Sequence, residues 1–237
     1  MNPIFYREVT NSNKQWFSKV DPSVQFKGTA RIGRNVIIEE GCIIGDQVFI
    51  GHNVKIRPES YFGDYAELRA DVWVSDFARI GHHTAIFNRT NIVSGMVVEN
   101  YVYVGIYVST ANVKDVVRWR ERDTIKDPPY VKNGARIMAG TILLPGVTIG
   151  RNSLIGAGSL VTRNVPNGEI WYGHPARKRG LVDPDDIPIG MLEKISLSQP
   201  VKTFTICGNC GGNIGEKGPL GCHCGYEFID GKWIQTK

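Results

Sequence analysis

No apolar run in this 237-residue chain approaches the ~18 residues that a membrane-spanning helix needs, so no membrane insertion is expected. The opening stretch MNPIFYREVTNSNKQWF lacks a charged segment followed by an apolar one, so a signal peptide is not expected and the location reads as cytoplasmic. Neither sign of charge dominates: 28 Lys and Arg against 23 Asp and Glu leave a formal net charge of +5. The basic residues are spread along the chain, which fits ordinary solubility before it fits a site for anionic ligands, and no nucleic-acid partner is expected. Cysteine is scarce, five in all, and four of the five fall between residues 207 and 224. With 42% apolar residues the chain can build one core and a small appendage.

What the sequence has in quantity is a six-residue period. From Val20 an apolar residue recurs at Phe26, Ile32, Ile38, Ile44, Ile50, Ile56, Phe62, Leu68, Val74, Ile80, Ile86, Ile92, Val98 and Val104. The pattern lapses after position 109 and returns at Val131, Ile137, Leu143, Ile149, Ile155 and Val161. A smaller side chain often follows four residues later, such as Val36, Cys42, Ala66 or Thr84. This period predicts an all-β fold, a parallel β-helix in which each hexad is one short strand plus a corner. One hexad cannot bury its apolar residue alone, but stacked coils close a continuous core. Three hexads make a triangular coil of 18 residues, so the fifteen hexads before the break and the six after it predict seven coils. The break then falls at a coil boundary. Gly or Asn stands three residues after many repeat positions (Asn35, Gly41, Asn53, Gly95, Gly134, Gly140, Gly146, Asn152, Gly158, Asn164), as corners with positive φ require. The expected organisation is an N-terminal cap over 1–19, the β-helix over 20–182, a polar linker over 183–200 and a terminal module over 201–237.

Three regions leave the repeat. The first is the excursion TANVKDVVRWRERDTIKDPPY, residues 110–130, whose length favours a functional loop over a solvated flap. The second follows Val165 and includes Trp171, Gly173, His174, Pro175, Ala176, Arg177 and Lys178. The third is the tail CGNCGGNIGEKGPLGCHCGYEF. There Cys207 and Cys210 form one knuckle and Cys222 and Cys224 another, a zinc-ribbon spacing in which four thiolates hold a structural Zn²⁺. His223 is an alternative ligand, and two disulfides are the competing reading, although nothing suggests secretion. Cys42 sits at an inward position and reads as packing.

The period, together with PGVTIGRNSLIGAGSLVTRNVPNGEIWYGHPARKRG, resembles the left-handed β-helix, hexapeptide-repeat acyltransferases over residues 20–180 or so. That resemblance implies left-handed coils, a homotrimer, and acetyl-CoA or another acyl-CoA held in a groove between neighbouring helices. Gly140, Ala157, Arg163, Arg177 and Lys178 are the implied CoA-binding residues, the cations pairing with its phosphates. The excursion is expected to reach a neighbouring subunit. The stretches ARIGHHTAIFNRTNIVSGMVVENYVYVGIYVSTAN and RERDTIKDPPYVKNGARIMAGTILLPGVTIG narrow the likeness to N-acetyltransferases of nucleotide-linked amino sugars used in surface polysaccharides, of the UDP-2-acetamido-3-amino-2,3-dideoxyglucuronate and dTDP-3-amino-3,6-dideoxyhexose types. In them an Asn orients the sugar, and Asn88 matches it; a second, at the start of the loop, matches Asn112. Many relatives carry a His near the excursion. Here none lies between residues 84 and 173, which fits members in which the CoA sulfur takes the amine proton. His83 is the remaining candidate base, unless it is a plain corner residue. Phe87 and Arg89 depart from the subgroup, where polar amides are common.

Arg57 and Arg69 could face a nucleotide diphosphate or simply lie on the surface. Tyr65, Phe77, Tyr101 and Tyr107 at outward corners read as packing between subunits, or as platforms for a base. A γ-type carbonic anhydrase, faintly suggested by LRADV at 68–72, lacks the later pair of histidines its zinc needs. Transfer to another hydroxyl or amine, or a non-catalytic assembly module, are the remaining alternatives.

Overall fold

The computed structural model describes residues 18–114, 126–183 and 186, together with the backbone of strands Ile4–Phe5, Thr205–Ile206, Asn213–Gly215, Gly218–Leu220, Tyr226–Ile229 and Lys232–Gln235. Cys207, Cys210, Cys222 and Cys224 lie outside the described residues, as does the middle of the excursion. Among the described residues no helix is long and apolar enough to cross a membrane.

The repeat residues wind into a parallel β-helix with three flat faces. Face one holds strands such as Lys19–Val20, Ile37–Ile38 and Lys55–Ile56; face two Gln25–Phe26, Ile43–Ile44 and Tyr61–Phe62; face three Ala30–Ile32, Val48–Ile50 and Glu67–Leu68. Each strand pairs in parallel with the one 18 residues on, as Val20 with Ile38 and Ile38 with Ile56. Ile32, Ile38, Ile44, Ile50, Ile56, Phe62 and Leu68 are buried to within 1%. Each contributes ~1.5–3 kcal/mol of burial, and only because coils above and below cover it.

There are about eight coils rather than seven, for face one carries eight strands. The extra one is Ser109–Thr110, which pairs with Ile142–Leu143. Thr110 fills the repeat position with a polar side chain and so hides from an apolar pattern. Its hydroxyl accepts from the Val93 N–H at 3.1 Å and donates to the Asn91 carbonyl at 3.0 Å. The excursion therefore leaves inside the sixth coil, not at a coil boundary. It returns at Tyr130–Val131 on face two, where Val98 pairs with Val131.

We number the corners by the face they follow. The third residue after the repeat position has φ between 52° and 73° along all three corners, from Asn35 and Gly41 to Asn152 and Gly158. The same corner conformation holds Tyr65, Phe77, His83, Arg89, Tyr101 and Tyr107, at ~1 kcal/mol of strain each. Stacking offsets that cost, because the N–H of each such residue reaches the carbonyl of the coil before, as Tyr65 to Asp46 at 2.8 Å and His83 to Asp64 at 3.0 Å. The stack ends in an antiparallel hairpin on face three, Glu169–Gly173 with Ala176–Leu181.

Candidate active site

Corner three runs through Arg34–Asn35, His52–Asn53, Ala70–Asp71, Asn88–Arg89, Ile106–Tyr107, Ala139–Gly140 and Ala157–Gly158, one pair per coil. Backbone bonds lock the later pairs in line: Tyr107 N–H to Asn88 O at 3.0 Å, Gly140 N–H to Ile106 O at 2.9 Å and Gly158 N–H to Ala139 O at 2.8 Å. The early coils carry a side-chain ladder, Asn35 to Asn53 at 3.2 Å and Asn53 to Asp71 at 3.0 Å. Arg89 continues it, pairing with Asp71 at 3.5 Å and donating to the Tyr107 hydroxyl. Beyond Tyr107 the ladder stops. A Cβ on Gly158 would meet nothing within 4 Å, and one on Gly140 would meet only Gly158 backbone, so the corner becomes a bare trough. Ile106, Tyr107, Met138 and Ile142 border it, all partly exposed.

Corner two shows what corner three lacks beyond its first rung, where His52 Nδ1 takes the Arg34 N–H at 2.8 Å. There the side chain two residues after each repeat position accepts a backbone N–H from the preceding coil. Asp46 Oδ1 takes Thr29, Asp64 Oδ1 takes Asp46, His82 Nδ1 takes Asp64, Asn100 Oδ1 takes His82 and Asn133 Oδ1 takes Asn100, at 2.7–3.0 Å. At corner three the matching residues after His52 are Ala70, Asn88, Ile106, Ala139 and Ala157. The N–H groups of Asn88, Ile106, Ala139 and Ala157 have no acceptor among the described residues. A row of outward donors beside an unpaired, exposed Asn88 amide is suited to holding carbonyl or amide oxygens of an extended ligand.

The sequence-predicted residues divide among the corners. Asn88, Gly140 and Ala157 fall together on corner three. Arg69 lies beside them on face three, its guanidinium 5.3 Å from the Phe49 ring and 5.6 Å from the Phe87 ring. It is paired with Glu67 at 2.7 Å, and its buried Nε has no acceptor. Arg177 and Lys178 sit on the terminal hairpin, where Lys178 is tied to Glu169 at 2.6 Å. His83 is on corner two, stacked between Tyr65 and Tyr101 at centroid distances of 4.7 and 4.9 Å. Arg57, Asn112 and Arg163 are on corner one. Arg57 is held by Glu39 at 2.9 Å. Asn112 donates to Ser94 O at 3.2 Å and accepts from Asp127 N–H at 2.7 Å, fixing the foot of the excursion. That foot is closed by the antiparallel Val113–Lys126 bridge and the Lys114–Asp127 ion pair, which lies over Gly146. Within one chain, then, Asn88, His83 and Asn112 stand on three different corners.

Two interior groups, one buried and one half-buried, escaped the sequence reading. Arg79 is 7% exposed and donates to Glu59 O at 2.6 Å; burial lowers its pKa to about 10 against the pull of Glu59. Tyr130 donates to Glu99 at 2.5 Å, and burial together with that carboxylate pushes its hydroxyl well up. Burial also raises the Cys42 thiol to about 11, which keeps it a packing residue. Among the described residues no three His, Cys, Asp or Glu side chains are grouped to hold a metal ion.

Residues 128–163 match the bacterial transferase hexapeptide (six repeats) family. Over 71 residues the chain is 42% identical to the galactoside O-acetyltransferase of Lactococcus lactis subsp. lactis, covering 30% of this chain and 34% of that protein. Over 52 residues it is 46% identical to the dTDP-3-amino-3,6-dideoxy-alpha-D-galactopyranose 3-N-acetyltransferase of Aneurinibacillus thermoaerophilus, covering 22% and 27% respectively. The chain thus spans about a third, or less, of the length of these curated relatives. A hexapeptide-repeat acetyltransferase of Vibrio cholerae, solved with acetyl coenzyme A, is 23% identical with a TM-score of 0.44, over 60% of this chain and 72% of that one.

Proposed function

We propose that the protein is a CoA-dependent N-acyltransferase, using acetyl-CoA to acylate the amine of a nucleotide-linked sugar in surface polysaccharide synthesis. The observation that carries this reading is the line along corner three: an unpaired Asn88 amide followed by open N–H groups and the bare Gly140–Gly158 trough. The trough takes the pantetheine arm, whose amides suit the free donors at Ala139 and Ala157. The Asn88 side chain orients the sugar amine. The neutral amine attacks the thioester carbon, the C–N bond forms, and the oxyanion is met by a corner N–H. Collapse breaks the C–S bond, and the leaving sulfur takes the amine proton, so no protein base is needed.

Asn112 belongs to this scheme through a second copy. On a homotrimer the excursion foot at corner one of one subunit faces corner three of the next. The galactoside O-acetyltransferase likeness supports a second reading, a hydroxyl acceptor.

The test is thiol release from acetyl-CoA with UDP-, dTDP- and GDP-linked 3-amino and 4-amino sugars, and with a simple galactoside. Release with an amino sugar, reduced at least about 100-fold in kcat by Asn88→Ala with a melting temperature unchanged, is the expected result. Turnover with the galactoside alone moves the reading to O-acetylation. Full turnover in Asn88→Ala removes that residue from the mechanism.

A further inference from the structure

At the other end of corner three lies a cavity of about 250 Å³ between the first two coils, lined by Arg31, Ile32, Gly33, Arg34, Phe49, Gly51 and His52. We infer that it binds the diphosphate of the acceptor, a nucleoside diphosphate-linked sugar; this rests on the amino-sugar reading above and adds where that substrate is held.

Among the described residues the lining holds two guanidinium groups and an imidazole and no carboxylate. Arg34 has an interaction of its own, so Arg31 and His52 carry the anion-binding argument. Arg31 is exposed on its strand and forms no ion pair among the described residues. His52 Nδ1 accepts the Arg34 N–H at 2.8 Å, so in the neutral ring the proton is on Nε2, leaving a donor on the opposite side of the ring. Gly33 and Gly51 let the coils pack closely beneath the cavity, since a Cβ on either would come within 2.8 Å of backbone in the next coil. Guanidinium forks and a ring N–H over bare backbone suit phosphate oxygens. Phe49 adds a planar wall. It begins a column of neighbouring planar groups, Phe49, Arg69, Phe87 and the tilted Tyr103 ring, rising along face three.

Two diphosphates take part in the proposed reaction, that of CoA and that of the nucleotide sugar. Position separates them. His52 and Asn88 occupy the same column two coils apart, roughly 10 Å at the spacing of paired strands. A sugar ring and its anomeric phosphate bridge roughly that gap. The Gly140 trough is four coils from His52, roughly 19 Å, and on the far side of Asn88. Donor and acceptor thus approach Asn88 from opposite ends of one corner.

Calorimetric titration of the full chain with UDP, dTDP, GDP, inorganic pyrophosphate and CoA tests the site, comparing wild type with Arg31→Gln and Arg31→Gln/Arg34→Gln. A nucleoside diphosphate is expected to bind, with affinity falling about tenfold in the single variant and further in the double, while CoA affinity stays constant. Pyrophosphate should follow the same order more weakly, since it lacks the base that meets Phe49. Nucleotide affinity unchanged in both variants overturns the proposal, as does a parallel loss of CoA affinity, which would assign the cavity to the donor. Thiol release judges the enzyme reading separately. Transfer to an amino sugar with an unaltered KM in the double variant sinks the cavity alone, and nucleotide binding without any transfer leaves the cavity and sinks the reaction.

Discussion

At corner two His82 stands among aspartates and asparagines and plays their part. Its Nδ1 accepts the Asp64 N–H at 3.0 Å, while its own N–H is taken by Asn100. The residue is therefore an acceptor in a structural ladder, and the neighbouring His83 owes its exposure to the positive φ that follows. Replacing His82 with Asn keeps an acceptor and should hold the melting temperature within error. His82→Ala should cost about 1 kcal/mol by chemical denaturation, the usual toll for one lost bond. Equal losses in the two variants would mean the ring matters for packing instead. The corner glycines separate conformation from space in the same way. Gly158 has φ +66° and open surroundings, so Gly158→Ala should cost only the ~1 kcal/mol of the left-handed conformation. Gly146, with φ +73°, also makes room for Asp127 and Lys114, where an added Cβ would clash. Gly146→Ala should therefore lose clearly more stability and loosen the foot of the excursion. Denaturation curves of the two variants side by side decide this.

Strands of two or three residues carry little stability alone; what fixes them is the element on either side. The terminal hairpin is the exception, because it has a coil on one side only. Glu169 holds it by accepting from Lys178 Nζ at 2.6 Å and from Trp171 Nε1 at 2.7 Å. The Lys178 bond first, and then the Trp171 bond, keep its carboxyl below the ordinary value of 4.5. A carboxylate depressed in the folded state binds fewer protons there than in the unfolded chain. Its stabilisation is thus present above the ordinary value and lost as pH falls through the lowered one. Wild type should melt higher than Glu169→Gln at neutral pH, with the gap closing in acid. Fluorescence through an acid titration, taken as the difference from a Trp171→Phe variant because the chain has five tryptophans, reads the hairpin itself, and parallel curves for the two proteins would discard the idea.

Over the whole molecule, coils stabilise only their neighbours, so a long insertion is tolerated wherever register resumes. Val98–Val131 and Val104–Ile137 pairing shows that it does. On the proposed scheme, the foot of the excursion and the corner three line that act together belong to different subunits. The tail cysteines form a separate question of assembly. If their spacing makes a zinc ribbon, native mass spectrometry should find one zinc per chain, lost in Cys207→Ser/Cys222→Ser. A metal-free protein with both knuckles oxidised would replace zinc with disulfides.

The sequence by itself determined the coil. Burial at every sixth position with a corner residue three places on, as Ile32–Asn35 and Ile38–Gly41, specifies both the strand and its stacking partner. Asn88 and Gly140 became candidates through the resemblance to the acyltransferases, beyond what the period alone gives. Three things needed the tertiary structure. Thr110 joined the stack through hydroxyl bonds that an apolar period cannot register. The positive φ at Tyr65, Phe77 and Tyr107 was imposed by neighbouring coils against the preference of the residues. Above all, which candidates share a corner was decided by winding: a step of 18 residues returns to the same corner, and a step of five or six moves to the next. His83 and Asn88 are five residues apart and on different corners, whereas His52, Asn88 and Ala157 are distant in sequence and lie in one line.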